Sequence, residues 1–150
     1  MSGAPGSWSG TGGIPSGYLH GLSLDIASPA GVRTLYATSN GDVYRSVNNG
    51  ANWNRIFDCN ECYTTAARGQ MLFAGGQNGL WRSLDGGATW SEIEAGTFHL
   101  PPSGYALRYA KWNGPHDILI AGIAVYVANY GGGRGLYRST NDGASWTRIL

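Results

Sequence analysis

The sequence predicts an all-β fold of three four-stranded antiparallel units, and three observations carry that expectation. A twelve-residue motif recurs three times without gaps. Stretches of alternating polar and apolar residues flank each copy, the period of a half-buried strand. Glycine is very abundant, at 25 of 150 residues, beside 6 Trp and 9 Tyr. Such a mixture fits tight turns between aromatic-rich strands, because Gly reaches backbone conformations closed to other residues while Trp and Tyr favour pleated surfaces.

The first copy of the motif runs from Asp42 to Trp53, the second from Gly79 to Trp90 and the third from Gly135 to Trp146. Each reads aromatic-Arg-Ser-x-(Asp/Asn)-x-Gly-Ala-x-Trp. These are the residues of a hairpin turn. Asn48, Asp85 and Asn141 can accept hydrogen bonds from backbone N–H groups, and Ser46, Ser83 and Ser139 can add a second such bond. Gly50, Gly87 and Gly143 can take positive φ at no steric cost. Trp53, Trp90 and Trp146 are expected to start the next strand and fold back over the turn as apolar plugs. Turn chemistry accounts for every one of these residue types, so the motifs read as fold staples ahead of ligand or metal sites. A calcium loop is excluded by the lack of a Glu at the required spacing.

The strands follow in order. In the first unit Leu22, Leu24 and Ile26 alternate, and Thr34 to Thr38 reads as the next strand. In the second, Tyr63 to Arg68 and Met71 to Ala74 take those places. In the third, Ala106 to Trp112 and Ile118 to Val127 do, the latter long and apolar enough for one buried strand. With the two strands around each motif, every unit has four, the composition of a propeller blade. The expected blades span about 18–58, 59–96 and 97–150. The first two motifs lie 37 residues apart and the second and third 56, so the third unit carries an insertion of 19. Gly96 to Gly104, with Pro101 and Pro102, and the turn from Asn129 to Arg134 are its expected places. Residues 1–17, rich in Gly and Ser, read as a flexible tether that Trp8 and Ile14 could dock onto a surface.

Three blades fall short of the four to eight of a propeller and leave a sheet face uncovered at each end of the arc. Either further blades of a longer chain complete it, or copies assemble, two copies giving six blades. The expected fold is therefore an incomplete β-propeller, closed by oligomerisation or by a longer chain.

The motif resembles the Asp-box, or BNR repeat, Ser-x-Asp-x-Gly-x-Thr-Trp. The chain from Tyr18 to Leu150 is similar in rhythm to the blades of xyloglucanase-like glycoside hydrolases, including Leu35-Tyr-Ala-Thr38 and the Gly-Leu-Tyr-Arg-Ser run at Gly135. Sialidases, sortilin-like receptors and photosystem assembly factors use the same repeat. The hydrolase resemblance implies two propellers facing a cleft, each supplying one catalytic Asp, since glycoside hydrolysis needs two carboxylates. Where those enzymes carry an Asp after an early strand, this chain has Asn40. Asp42 is the weak catalytic candidate, and its place before the motif strand suggests a turn role instead. A sialidase needs three converging Arg, whereas Arg45, Arg82 and Arg138 occupy equivalent places in successive units and read as solvent-facing or interblade residues.

No complete catalytic set can be written, which favours a non-catalytic scaffold that self-assembles or binds a glycan or protein; a hydrolase fragment is the alternative. Aromatic faces stack on sugars and anchor protein interfaces. Tyr18, Tyr105, Tyr109, Trp112, Tyr126 and Tyr130 are candidates, with Trp112 and Tyr130 the best placed beside Gly and Pro. About two-thirds of such aromatics are expected to serve the core instead. The net charge of +1, nine Arg and one Lys give no basic stripe, so nucleic acid is not an expected partner. No stretch reaches the ~18 apolar residues of a membrane span. No cofactor is expected. Cys59 and Cys62 form a lone C-x-x-C, for which a local disulfide is the first expectation, free thiols the second and a metal site the third. A disulfide and the glycan reading together point to an extracellular or cell-surface setting, although no signal segment is visible.

Overall fold

A computed structural model describes residues 13–14, 17–77, 79–93, 115–129 and 134–150. Its described elements are all strands: β1 (Leu19–Leu24), β2 (Leu35–Ser39), β3 (Gly41–Ser46), β4 (Asn54–Arg68), β5 (Met71–Gly76), β6 (Gly79–Ser83), β7 (Ser91–Ile93), β8 (Pro115–Ala121), β9 (Ala124–Asn129), β10 (Gly135–Ser139) and β11 (Thr147–Arg148). All pairings between these described strands are antiparallel. One sheet runs β1-β2-β3-β4-β5-β6-β7 and the other β8-β9-β10-β11.

The seven-stranded sheet is two four-stranded units that share β4. The first part of β4 pairs with β3 (Asp42↔Asp58, Tyr44↔Arg55) and the second part with β5 (Thr65↔Ala74, Arg68↔Met71). Between these parts the strand turns through Asn60 and Glu61, both at positive φ (47° and 85°), and a Cys59–Cys62 disulfide ties the turn with a Cα–Cα distance of 5.7 Å. That separation is ordinary for a disulfide.

The core lies between the units, face against face. Tyr36, Val43 and Ile56 of the first unit meet Leu72, Ala74, Trp81 and Trp90 of the second. Phe73, Leu80 and Ile93 of the second meet Val125, Val127, Tyr137 and Trp146 of the third. Phe57 stacks on Trp90 at 4.4 Å, and Phe73 meets Trp146 edge-on at 6.1 Å. Each fully buried aliphatic or aromatic side chain here contributes roughly 1.5–3 kcal/mol from area removed from water. The first unit's outward face holds a fourth cluster, Ala37, Tyr44 and Trp53, and Ile14 packs against it. One of the two sheet faces expected to lie bare is thus covered by Ile14 at this cluster.

One strand differs from its sequence reading. The run Ile118 to Val127 is not one buried strand but the hairpin β8–β9, closing with Ala121↔Ala124. Gly122 turns it at φ 60°, with open space where a Cβ would stand. Alternation argues the same way, since Leu119 is exposed between half-buried Ile118 and buried Ile120. β8 is thus the third unit's innermost strand. The strand expected at Ala106 to Trp112 lies outside the described residues, as does the whole of the expected Gly96 to Gly104 linker.

Candidate functional site

The three repeat turns share one hydrogen-bond pattern. Ser46, Ser83 and Ser139 accept through Oγ from the N–H of Gly50, Gly87 and Gly143 at 2.9, 2.8 and 2.9 Å. The same hydroxyls lie 2.9, 2.7 and 2.9 Å from Oδ1 of Asn48, Asp85 and Asn141, to which each donates. Those oxygens also accept from the N–H of Asn52, Thr89 and Ser145 at 2.9, 2.9 and 3.0 Å. Trp53, Trp90 and Trp146 donate Nε1–H to the carbonyls of Gly50, Gly87 and Gly143 at 3.0, 3.2 and 3.2 Å. The three Ser side chains are buried, and the three Gly have φ of 85°, 93° and 78°. The side-chain oxygens are spent on the turn itself. At Asp85 the bonds from Thr89, with Ser83 assisting, hold the carboxyl well below the usual carboxylate range.

The second and third turns each also receive an Arg from the preceding unit. Arg45 donates Nη1–H to the Gly86 carbonyl at 2.8 Å, and Arg82 does the same to the Asp142 carbonyl at 2.9 Å. Gly86 and Asp142 are the residues one past Asp85 and Asn141, so the two contacts are equivalent. These Arg are interblade clamps and do not converge on one ligand. Arg138, the third equivalent, is exposed, with no side-chain partner among the described residues. Arg68 adds a bond to the Gly122 carbonyl and an ion pair to Asp142 at 3.0 Å. Asp25 is buried and accepts from Gly69 N–H across the first and second units. The Arg clamps were visible in the repeat, whereas Arg68 and Asp25 carry no repeat signal.

Asp42 sits inside β3, not in a turn. Arg55 Nε lies 2.7 Å from its Oδ2, and Arg55 also reaches Asp58 at 2.8 Å. Its carboxylate is engaged in this outer-strand cluster. At the start of the second unit Tyr63 donates to Glu61 and Gln77, and burial beside Glu61 pushes its hydroxyl above the ordinary value. Of the aromatic candidates, Tyr18 is exposed and Tyr126 half-buried. Tyr105, Tyr109, Trp112 and Tyr130 lie outside the described residues.

The innermost strands β1, β4 and β8 border a cleft of about 550 Å³, with Leu22, Thr64, Thr65, Ile118, Leu119 and Tyr126 in its lining. Ser23 and Thr65 hydrogen bond across it at 2.6 Å, and Leu22 and Leu119 are 65% and 61% exposed. Sheets radiating from inner strands, stacked face to face around such a cleft, describe a segment of a ring.

Structural comparison bears on that geometry directly. YCF48 bound to D1 peptide matches with a TM-score of 0.61 and 16% identity, over 90% of this chain and 42% of that one. YCF48 from Cyanidioschyzon merolae matches at 0.62 and 20%, over 92% and 39%. The GH74 enzyme of Niastella koreensis matches at 0.60 and 22%, over 88% and 22%. The fold is part of a β-propeller. The chain spans less than half the length of each of these structures, and at such identities the likeness is one of fold. No family model matches the chain, and no curated protein matches it.

Proposed function

We propose that this chain is a non-catalytic Asp-box propeller unit that works as a self-assembling scaffold. The observation that carries the reading is the use of the repeat residues. Their side-chain oxygens close their own turns, and Arg45 and Arg82 join each unit to the next. A scaffold needs such joints, and a hydrolase needs two free carboxylates across a cleft. Asp42, the candidate for one of them, is ion-paired to Arg55.

A second reading, binding of a protein segment, is favoured by the exposed Leu22 and Leu119 at the inner cleft, an apolar surface of the kind that marks interfaces. One structural relative is described as bound to a peptide. Either role suits an extracellular setting, where the Cys59–Cys62 disulfide persists.

The test is light scattering over a range of concentrations, run beside an assay for sugar release from xyloglucan. The scaffold reading expects mass rising above the 15.9 kDa of one chain and no hydrolysis. A constant 15.9 kDa overturns self-assembly. Hydrolysis that Asp42→Asn removes would establish the hydrolase alternative.

A further inference from the structure

The two interfaces inside the chain repeat one set of contacts. Going from first unit to second, Arg45 reaches the Gly86 carbonyl, Val43 packs with Ala74 and Trp81, and Ile56 lies against Gly87. Going from second to third, Arg82 reaches the Asp142 carbonyl, Leu80 packs with Val127 and Tyr137, and Ile93 lies against Gly143. The motif places Leu136, Arg138 and Ile149 in the corresponding positions of the third unit.

Among the described residues, no unit stands beside these three. Arg138 is exposed, Ile149 is 48% exposed where Ile93 is 6%, and Leu136 is half-buried where Val43 and Leu80 are wholly buried. A groove of about 460 Å³ lies beside them, lined by Ala128, Leu136 and Leu150. The complementary half stands at the other end of the chain. The Asn49 carbonyl, one residue past Asn48, accepts no hydrogen bond from a described residue. A Cβ placed on Gly50 would meet first Leu35 and Trp53, both of its own unit. Ala37 and Tyr44, the counterparts of Ala74 and Trp81, are occupied by Ile14.

We propose that the third unit's open face takes the first unit of a second copy of this chain. Arg138 donates to the partner copy's Asn49 carbonyl, Ile149 seats on its Gly50, and Leu136 takes the place held by Ile14. Ile14 is thus a plug that competes with assembly. Two copies joined at both ends give a six-unit ring of two-fold symmetry, and six is the one multiple of three between four and eight. The proposal rests on the scaffold reading and assigns it a surface.

Sedimentation equilibrium of the full chain tests it. Ile14→Asp is expected to move association to about tenfold lower concentration or beyond, toward twice 15.9 kDa, because the plug's burial is lost. Adding Arg138→Ala or Ile149→Asp, both at exposed positions, is expected to return the protein to 15.9 kDa. Ile14→Ala gives a milder shift in the same direction, and near-ultraviolet circular dichroism of the stacked Trp reports that each variant is folded. If the Ile14 variants stay at one chain mass throughout, the plug, the interface and the scaffold reading all fail. Association unaffected by Arg138→Ala and Ile149→Asp overturns the interface alone and leaves the scaffold reading standing. A ladder of masses beyond two copies overturns the closed ring.

Discussion

At the scale of single residues, the three turns form an internal comparison. The same bonds close around Asn48, Asp85 and Asn141, but one of the three is a carboxylate. Asp85 accepts from Thr89 through both oxygens, backbone to Oδ1 at 2.9 Å and hydroxyl to Oδ2 at 2.5 Å. These bonds favour the charged form, and its folded pKa is lowered from an ordinary 3.8. A lowered carboxylate contributes stability that is fully present above the unfolded value and lost as pH falls through the folded one. Thermal midpoints measured from pH 7 down to pH 2 should therefore drop below about pH 4 in the native chain. In Asp85→Asn that part of the acid limb should vanish, and the two proteins should converge at the acid end. The substitution is sterically mild, because Asn141 already fills the equivalent place and donates Nδ2–H to Ser145 at 2.9 Å. An acid limb identical in both proteins would show that Asp85 carries no folding-linked proton.

At the scale of elements, β4 joins two units through the turn at Cys59 to Cys62. A C-x-x-C closes a loop of four residues, so constraining the unfolded chain gives only about 2 kcal/mol in the loop-entropy account. Replacing Cys59 and Cys62 together by Ala should lower the urea-unfolding free energy by about that amount. Cys59 and Cys62 are buried with Val43 and Ala74, so the change also thins the first interface. No loss would mean that Asn60 and Glu61 hold the turn without the bond. The sequence made much of this scale legible. Ser, Asx, Gly and Trp at fixed spacing define the turns because each residue type has one local task there, and local tasks repeat. The β8–β9 hairpin was hidden because Ile118 to Val127 is apolar nearly throughout, and Gly122 alone marks the bend. The continuity of β4 across two units was hidden too, since strand pairing is non-local. Asp42 looked like a turn residue from its place before the motif strand, yet the register Asp42↔Asp58 puts it in the strand. Candidate binding residues were the least legible. An aromatic beside Gly or Pro has no repeat to fix its surroundings, and no turn chemistry decides whether it faces solvent or core.

At the scale of the whole molecule, the units stack like repeats, and stability is the sum of unit terms and nearest-neighbour interface terms. The Arg clamps belong to the interface terms. Arg82 is half-buried between the second and third units and donates to a backbone carbonyl, and hydrogen bonds from charged groups are worth about 1.5–3 kcal/mol. Its removal also leaves the Asp142 carbonyl to find water at the edge of the Phe73–Trp146 contact. Arg82→Ala should therefore weaken the joint between units while leaving both turns folded. The signature is a loss of cooperativity: urea unfolding read by far-ultraviolet circular dichroism should split from unfolding read by Trp fluorescence, and the apparent m-value should fall. Arg45→Ala should produce less splitting, because the first two units also share the continuous strand β4. Arg138→Ala has no interface among the described residues to weaken and should leave monomer unfolding unchanged. If Arg82→Ala shifts the midpoint with coincident probes and an unchanged m-value, the clamp is a local turn contact and the three units unfold as one body.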